Sequence, residues 1–344
     1  MTKQAIRCQH GFSLVGTLTG LLVGLMVAAS ALGTASYMEA QKRASMGSNS
    51  ALANGAFGIF RIESETKLAG LGLLARKSLA CPAMNLSYRG TVLLDGVPLY
   101  PATVLDGAAL SDTLTIAYMD SLLGAATAQV LIPMADSADS IMVSNAPDAQ
   151  TGRFALLQSA LPGLPCTLFQ ITGVNASSFG KDLAHVGGDY NGGAFTTRVA
   201  YPENSRAAIS AGLRWITFRV NHNTLEEVDN ITGAVMVVAS DILALKVQYG
   251  VTNGVSTSIT NWTSATGTYA APSLPDMQNV RAVRVGLLAR SPDKNTRCAA
   301  SVGAPRLWPS GPSFDVTGTP DWQCYRYRAF NLSIPLVNVV LGIR

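Results

Sequence analysis

The stretch from Phe12 to Ser36 constrains this chain more than any other part of its sequence. It contains 25 residues without a charge or a proline. As a helix it would be roughly 37 Å long, which is enough to cross a bilayer. A short leader with Lys3 and Arg7 precedes it. Because basic residues favour the cytoplasmic side, we expect a cytoplasmic leader over 1–11 and one membrane-spanning helix over 12–36.

The junction between leader and helix reads Gly11-Phe12-Ser13-Leu14-Val15. An ordinary signal peptide has an apolar core of about 7–15 residues and is cut after that core. This junction instead resembles the type IV prepilin signature, in which a prepilin peptidase cuts after the glycine and methylates the new N-terminus. The resemblance implies cleavage after Gly11, N-methylation of Phe12 and retention of the apolar helix in the mature chain.

Small residues form a stripe on this helix. Gly16, Gly20, Gly24 and Ala28 recur every four residues and therefore share one helix face. Small residues at this spacing let helices approach closely in membranes, so we expect this face to pack against another pilin helix. Prepilin-type proteins usually carry a glutamate at the fifth mature position, where this chain has Gly16. A minor pseudopilin at the tip of related fibres also lacks it, which suggests a tip or near-tip position.

Beyond the apolar helix the sequence stays helical and then changes to strands. No proline occurs until Pro82, so we expect an amphipathic continuation of the helix over 37–80, weakened by its glycines. A β-rich domain over 81–344 follows. The predicted fold class is α+β: a long N-terminal helix packed on a mostly antiparallel sheet with large loops. Alternating patterns predict these strands: Asp112–Tyr118, Gln129–Ile132, Ser140–Val143, Arg153–Gln158, Cys166–Thr172, Thr197–Tyr201, Gly212–Val220, Asp241–Tyr249, Val280–Arg290 and Tyr325–Ile334. We expect Val280–Arg290 to have one solvated face.

The cysteine count favours an oxidising compartment. Cys8 lies in the leader, which leaves Cys81, Cys166, Cys298 and Cys324. An even number in an exported domain indicates two disulfides, and three pairings are possible. We favour Cys298–Cys324, because it closes a short segment rich in proline and glycine, and by elimination Cys81–Cys166.

The sequence offers no catalytic motif. With three histidines and no phosphate loop or metalloprotease motif, we expect neither an enzyme nor a cofactor. The Gly187–Gly193 loop is a weak calcium candidate through Asp189 and Asn191, and a plain turn is the favoured interpretation. Trp308 and Trp322 are candidate partner contacts or cover for the core. A net charge of +4 is too small to predict a nucleic-acid partner.

Several strand segments, in this order, resemble the PilW-type minor pilins of type IV pili: Ser111–Tyr118, Cys166–Thr172, Val247–Gly250, Val283–Ser291 and Tyr325–Asn338. The resemblance implies a minor pilin that joins the priming and tip complex of a pilus. Its partners would be other minor pilins, the major pilin, the prepilin peptidase, the inner membrane and a tip adhesin. It would sit in the inner membrane with a periplasmic domain before assembly, and in the pilus, at its tip or base, afterwards.

Two alternatives remain open from the sequence. The J-type minor pseudopilins of type II secretion look similar over the same segments. A soluble secreted binding or adhesive domain is the less favoured alternative, because Ala29-Ser30-Ala31 offers an ordinary signal-peptidase site.

Overall fold

The structure is a computed structural model. It describes residues 13–75, 78–79, 81, 83–108, 111–120, 127–135, 140–197, 199–254, 258–294, 298, 305–308 and 314–342. The α-helices are α1 (Leu14–Leu68), α2 (Leu274–Gln278) and α3 (Val337–Gly342). Single 3-10 turns cover Gly267–Ala270 and Trp322–Cys324.

Twenty strands follow α1. They are, in chain order, β1 (Leu74–Ala75), β2 (Ser78–Leu79), β3 (Met84–Tyr88), β4 (Thr91–Val97), β5 (Ala102–Leu105), β6 (Thr113–Met119), β7 (Ala128–Gln129), β8 (Ser140–Val143), β9 (Phe154–Gln158), β10 (Cys166–Gln170), β11 (Gly173–Ala176), β12 (Lys181–Ala184), β13 (Arg206–Ser210), β14 (Leu213–Asn221), β15 (Thr224–Asp229), β16 (Val235–Ser240), β17 (Ile242–Val251), β18 (Asn261–Thr263), β19 (Val280–Arg290) and β20 (Tyr327–Pro335).

These strands form four sheets and one short hairpin of β1 and β2. The six-stranded sheet has the order β4-β3-β10-β9-β13-β7, and the three-stranded sheet has the order β11-β12-β8. The five-stranded sheet has the order β16-β15-β14-β6-β5, and the four-stranded sheet has the order β18-β17-β19-β20. Among the described strands, β3 and β10 pair in parallel and the other pairs are antiparallel. The predicted α+β class, with a long helix before mostly antiparallel sheets, is therefore confirmed.

The second half of α1 packs over the five-stranded and four-stranded sheets. Ala51, Ile62 and Ala69 have no exposed surface and share one hydrophobic core with both sheets. The two sheets are joined by backbone hydrogen bonds, such as the one from Ile242 N to Asn223 O at 2.9 Å. One face of the C-terminal half of the helix is thus buried against sheet residues that lie far away in sequence.

The predicted extension of the helix to residue 80 is wrong. The helix ends at Leu68, because Ala69 has a non-helical ψ of 130° and Gly70 has a φ of 78°. Asn338, next to the start of α3, donates from Nδ2 to the carbonyl oxygens of Lys67, Leu68 and Ala69 at 3.2, 3.2 and 3.3 Å. These bonds satisfy carbonyls that the end of a helix leaves without intrahelical partners.

The strand predictions succeed where the pattern is long and regular. Ser140–Val143 and Val280–Arg290 have the predicted bounds as β8 and β19. The predicted strand Thr197–Tyr201 is absent among its described residues, 197 and 199–201, of which Tyr201 forms an isolated bridge to Met134. The expectation that Val280–Arg290 has one solvated face is also wrong, because nine of its eleven residues are buried. α1 covers one face, and the described residues 305–308 and 314–324 pack on the other.

Candidate functional site: the N-terminal helix and its anchorage

The first part of α1 is entirely solvent-exposed. Every residue from Leu14 to Ser36 is exposed, although most are apolar. Among the described residues, α1 is the one helix long and apolar enough to span a membrane, by length and composition. The processing residues Gly11 and Phe12 lie outside the described residues.

The predicted stripe of small residues lies on this bare segment. A Cβ atom built on Gly16, Gly20 or Gly24 would have no neighbouring atom within 4 Å. Ala28 is also exposed. The hydroxyl of Thr17 donates to Leu14 O at 2.9 Å, and Thr19, Ser30 and Thr34 likewise donate to backbone carbonyls of the preceding helical turn. These hydroxyls therefore have hydrogen-bond partners within the helix. The stripe is therefore free for contact with another helix.

Glycines further along α1 have the opposite environment. A Cβ on Gly55 would lie 2.0 Å from Phe330 Cε2, and one on Gly58 would lie 3.0 Å from Leu225 Cδ2 and 3.2 Å from Leu287 Cδ1. These glycines were expected to weaken the helix. The structure shows what they provide, since they let the helix backbone lie directly on the side chains of β15, β19 and β20.

A network of charges also fixes α1 to the five-stranded sheet. Arg61 donates to both carboxylate oxygens of Glu227, at 2.8 and 3.1 Å, and Arg214 donates to the same carboxylate at 2.8 Å. Arg61 also pairs with Glu65 at 2.7 Å, and Tyr118 donates its hydroxyl to Glu65 Oε2 at 2.6 Å. Glu65 and Glu227 are buried. Each buried carboxylate thus has a cationic or hydroxyl partner, as burial of charge requires.

Hydrogen bonding and burial raise the pKa values of two groups in this network, Arg61 and Tyr118. The hydrogen bond to Glu227 raises the pKa of Arg61. Burial, and then the hydrogen bond to Glu65, raise the pKa of Tyr118 well above its usual range. Sequence reasoning missed this network, although the spacing of Arg61 and Glu65 by four residues within an otherwise apolar helix face was a signal for it.

Both favoured disulfides are present. Cys81 is bonded to Cys166, with Cα atoms 5.4 Å apart, and Cys298 is bonded to Cys324, with Cα atoms 4.2 Å apart. The first joins the segment before β3 to the start of β10 in the six-stranded sheet. The second joins the ends of a segment whose described residues, 305–308 and 314–324, pack on the four-stranded sheet.

That segment brings its tryptophans onto the sheet. Trp308 is 3% exposed. A Cβ on Gly286 of β19 would lie 2.8 Å from Trp308 Cζ3 and 2.9 Å from Leu307 Cβ, so the segment rests directly on the strand backbone. Trp322 is partly buried in the same hydrophobic cluster. The interpretation as core cover is therefore correct for Trp308, and the interpretation as an exposed contact is wrong for it.

The Gly187–Gly193 loop is held by its own polar groups. Asn191 Oδ1 accepts from Gln170 N at 2.8 Å, and Asn191 Nδ2 donates to Gly187 O at 2.6 Å. Asp189 pairs with Arg89 at 3.3 Å. No group of three metal-binding side chains occurs among the described residues. These contacts give the calcium interpretation no support, and it stays an untested expectation.

A cavity of about 160 Å³ lies beside this loop, lined by Phe169, His185, Tyr190 and Tyr201 among others. Several of its polar side chains have protein partners: Tyr201, for example, donates its hydroxyl to Thr167 Oγ1 at 2.7 Å. Burial raises the pKa of Tyr201 to about 12. We interpret the cavity as a packing gap in the six-stranded sheet.

Comparison with known proteins agrees with this architecture. The model of the family described as type IV pilus-assembly protein W matches residues 219–338, about a third of the chain. The matched region runs from β14 to the start of α3, and it contains the four-stranded sheet and the asparagine that caps α1. The resemblance to the PilW-type pilins is therefore confirmed. Together with the long helix and antiparallel sheets, it supports a type IV pilus-related pilin.

A solved structure, a type IV-like pilin from Thermus thermophilus, is similar at 11% sequence identity and a TM-score of 0.35. The alignment covers 85% of this chain and 99% of that one. We draw no argument from a similarity of this size. No curated protein matches the chain.

Proposed function

We propose that this chain is a minor pilin that joins the inner-membrane priming and tip complex of a type IV pilus and supports fibre assembly. The single observation that carries the proposal is the division of α1 into two parts. Its second part is locked onto the sheets by tight glycine contacts and by the Arg61–Glu227 ion pair. Its first part is an apolar helix with no partner among the described residues.

Processing precedes assembly in this proposal. A prepilin peptidase cuts after Gly11 and methylates Phe12. The helix then holds the protein in the inner membrane, with the β-rich domain in the periplasm. Two disulfides in the domain are consistent with an oxidising compartment. The work of the protein is helix packing and subunit contact, with no catalytic step.

The packing face in this proposal is the stripe of Gly16, Gly20, Gly24 and Ala28. Without a hydrophobic driving force between helices in lipid, close approach at small residues supplies the contact energy. The partners are other minor pilins and the major pilin, with a tip adhesin beyond them. Gly16 places no carboxylate at the position where shaft subunits carry one, so we propose a position at or near the tip.

A matched pair of variants tests the packing face. Gly20→Leu places a large side chain on the stripe. Gly33→Leu adds the same side chain thirteen residues further, which falls on the far side of the helix at about 100° per residue. In the native host, we expect Gly20→Leu to reduce the number of surface fibres, while Gly33→Leu leaves it close to wild type.

The readout is the amount of pilin in the sheared-fibre fraction, normalised to the amount of each variant in the membrane. Equal loss with both variants would show that the helix needs only its overall apolar character. No loss with either variant would contradict the packing face.

A further inference from the structure

An arginine with no acidic partner among the described residues lies on the face of the four-stranded sheet that points away from α1. Arg284 alternates along β19 with Val283 and Val285, which belong to the core under α1, so its side chain points to the opposite face. Its guanidinium carbon is 4.8 Å from the ring centroid of Trp262 and 4.6 Å from that of Trp308. The cation therefore contacts two indole rings.

Hydrogen-bond donors outnumber acceptors in this cluster. Arg284 Nη2 donates to Gln248 Oε1 at 2.6 Å. Arg284 Nε and Trp308 Nε1 are buried and have no acceptor among the described residues. Folded proteins pair nearly all of their buried polar groups, so two such donors in adjoining side chains call for an acceptor that the described residues do not supply.

The charge of the cluster is also uncompensated. Among the described residues, no carboxylate lies within ion-pair distance of Arg284, whereas Arg61, Arg214 and Arg219 each have a glutamate at 2.8 Å. Burial lowers the pKa of Arg284, because desolvation disfavours its charged form and no nearby acid offsets this effect. An anion at the exposed part of the guanidinium would compensate this charge.

The cluster is open to solvent on one side. Arg284 is only half-buried, and Ser333, which faces it across the ladder between β19 and β20, is exposed. Gln248 faces it across the other ladder and holds one end of the guanidinium. Part of the Arg284 side chain is therefore exposed between β17 and β20, beside the two indole rings, whereas its Nε and Trp308 Nε1 are buried.

We propose that Arg284, with Trp262 and Trp308, binds a carboxylate group. A carboxylate carries the compensating charge, and its two oxygens match the planar fork of donors on a guanidinium. A neutral carbonyl would supply an acceptor and leave the charge unbalanced. The source is either a free small acid or an acidic residue of a partner protein. This site does not depend on the proposed role of the N-terminal helix.

Sodium acetate is the first probe, used on the full ¹⁵N-labelled chain in detergent micelles. NMR follows the indole N–H signals of Trp262 and Trp308 and the Arg284 Nε–H signal, with sodium chloride at equal ionic strength as the reference. We expect shifts that saturate with acetate and not with chloride. The wild-type titration alone can overturn the proposal, because an absence of saturable shifts would mean that water satisfies these donors.

Two variants establish which arginine is responsible. Arg284→Gln should raise the dissociation constant for acetate by at least about tenfold, because the charge-assisted hydrogen bonds are lost. Arg219→Gln is the matched control, since Arg219 already pairs with Glu226, and it should leave the constant unchanged. Equal acetate binding by the wild type and Arg284→Gln would contradict the proposal.

A second arm identifies the source of the carboxylate. A photo-crosslinking amino acid at Ser333 in the native host would capture a partner that approaches Arg284. Crosslinks that disappear in the Arg284→Gln background, combined with saturable acetate binding, would assign the carboxylate to a partner protein. Acetate binding without such crosslinks would assign it to a free acid.

Discussion

The contact between Gly55 and Phe330 predicts that Gly55→Ala destabilises the protein, which is the opposite of the effect expected from helix propensity. Gly55 lies inside α1, where replacement of glycine by alanine ordinarily stabilises a helix by about 1 kcal/mol. Here the new Cβ would lie 2.0, 2.5 and 2.6 Å from three atoms of the Phe330 ring. Carbon atoms in contact are about 3.5–4.0 Å apart, so the ring or the helix has to move by about 1.5 Å.

The size of the effect follows from these distances. Overpacking of a well-packed core costs about 1–3 kcal/mol, and an overlap with three ring atoms belongs at the upper end of that range. After the helix gain is subtracted, we expect Gly55→Ala to lower the free energy of unfolding by about 2 kcal/mol. For a domain of this size that corresponds to a decrease in Tm of about 4–8 °C.

Thermal unfolding of the full chain in detergent, followed by near-ultraviolet circular dichroism, measures this decrease. Gly33→Ala is the matched control, because it lies in the same helix and its Cβ would meet no atom within 4 Å. We expect the control to have an unchanged or slightly higher Tm. A Tm for Gly55→Ala at or above that of the wild type would refute the close packing of α1 on β20.

Three further predictions concern stability. Glu227→Gln, which breaks a buried ion-pair network, should lower the free energy of urea unfolding by about 3 kcal/mol. Glu226→Gln should lower it by less than about 1 kcal/mol, because its partner Arg219 is more exposed than either arginine that pairs with Glu227. Equal costs would contradict the anchorage. Burial raises the pKa of Tyr249 to about 12, above its ordinary value of about 10. Between these values the unfolded chain loses the phenol proton and the folded chain keeps it. The contribution of Tyr249 to the free energy of unfolding is therefore complete below about pH 10 and falls by about 1.4 kcal/mol per pH unit up to about pH 12. Tyr249→Phe should reduce this dependence of the free energy of unfolding on pH, and an unchanged dependence would contradict the raised pKa of Tyr249. Replacement of Cys298 and Cys324 by serine should cost about 3 kcal/mol and shift tryptophan fluorescence to longer wavelength; unchanged fluorescence would show that the covering segment stays in place without the bond.

The sequence predicted the parts of the fold that depend on local patterns. Regular alternation located β19 at its observed bounds, and the apolar run located the first part of α1. The end of α1 was predicted too late, because it depends on a positive φ at Gly70 and on capping by Asn338, which is 270 residues from Leu68 in the chain. The second covered face of β19 was missed because alternation along the strand does not show that Leu307 and Trp308, which follow it in the chain, fold back onto it.

The exposed stripe of the candidate site could be predicted from the sequence, whereas the contacts that hold the second part of α1 on the sheets could not. The stripe from Gly16 to Ala28 follows directly from spacing. The roles of Gly55 and Gly58 did not, because propensity assigns every helical glycine a cost and cannot show which side chain lies opposite. The acceptors of Arg61 and Arg214 likewise required the register of β14 and β15.

The N-terminus of the mature protein tests the central claim most directly. Mass spectrometry of the native membrane or sheared-fibre fraction would determine it. The account predicts a chain that begins with N-methylated Phe12 and keeps the whole apolar helix. A chain that begins near Leu32, after Ala29-Ser30-Ala31, would contradict the account, because the helix needed for membrane insertion and packing would have been removed by an ordinary signal peptidase.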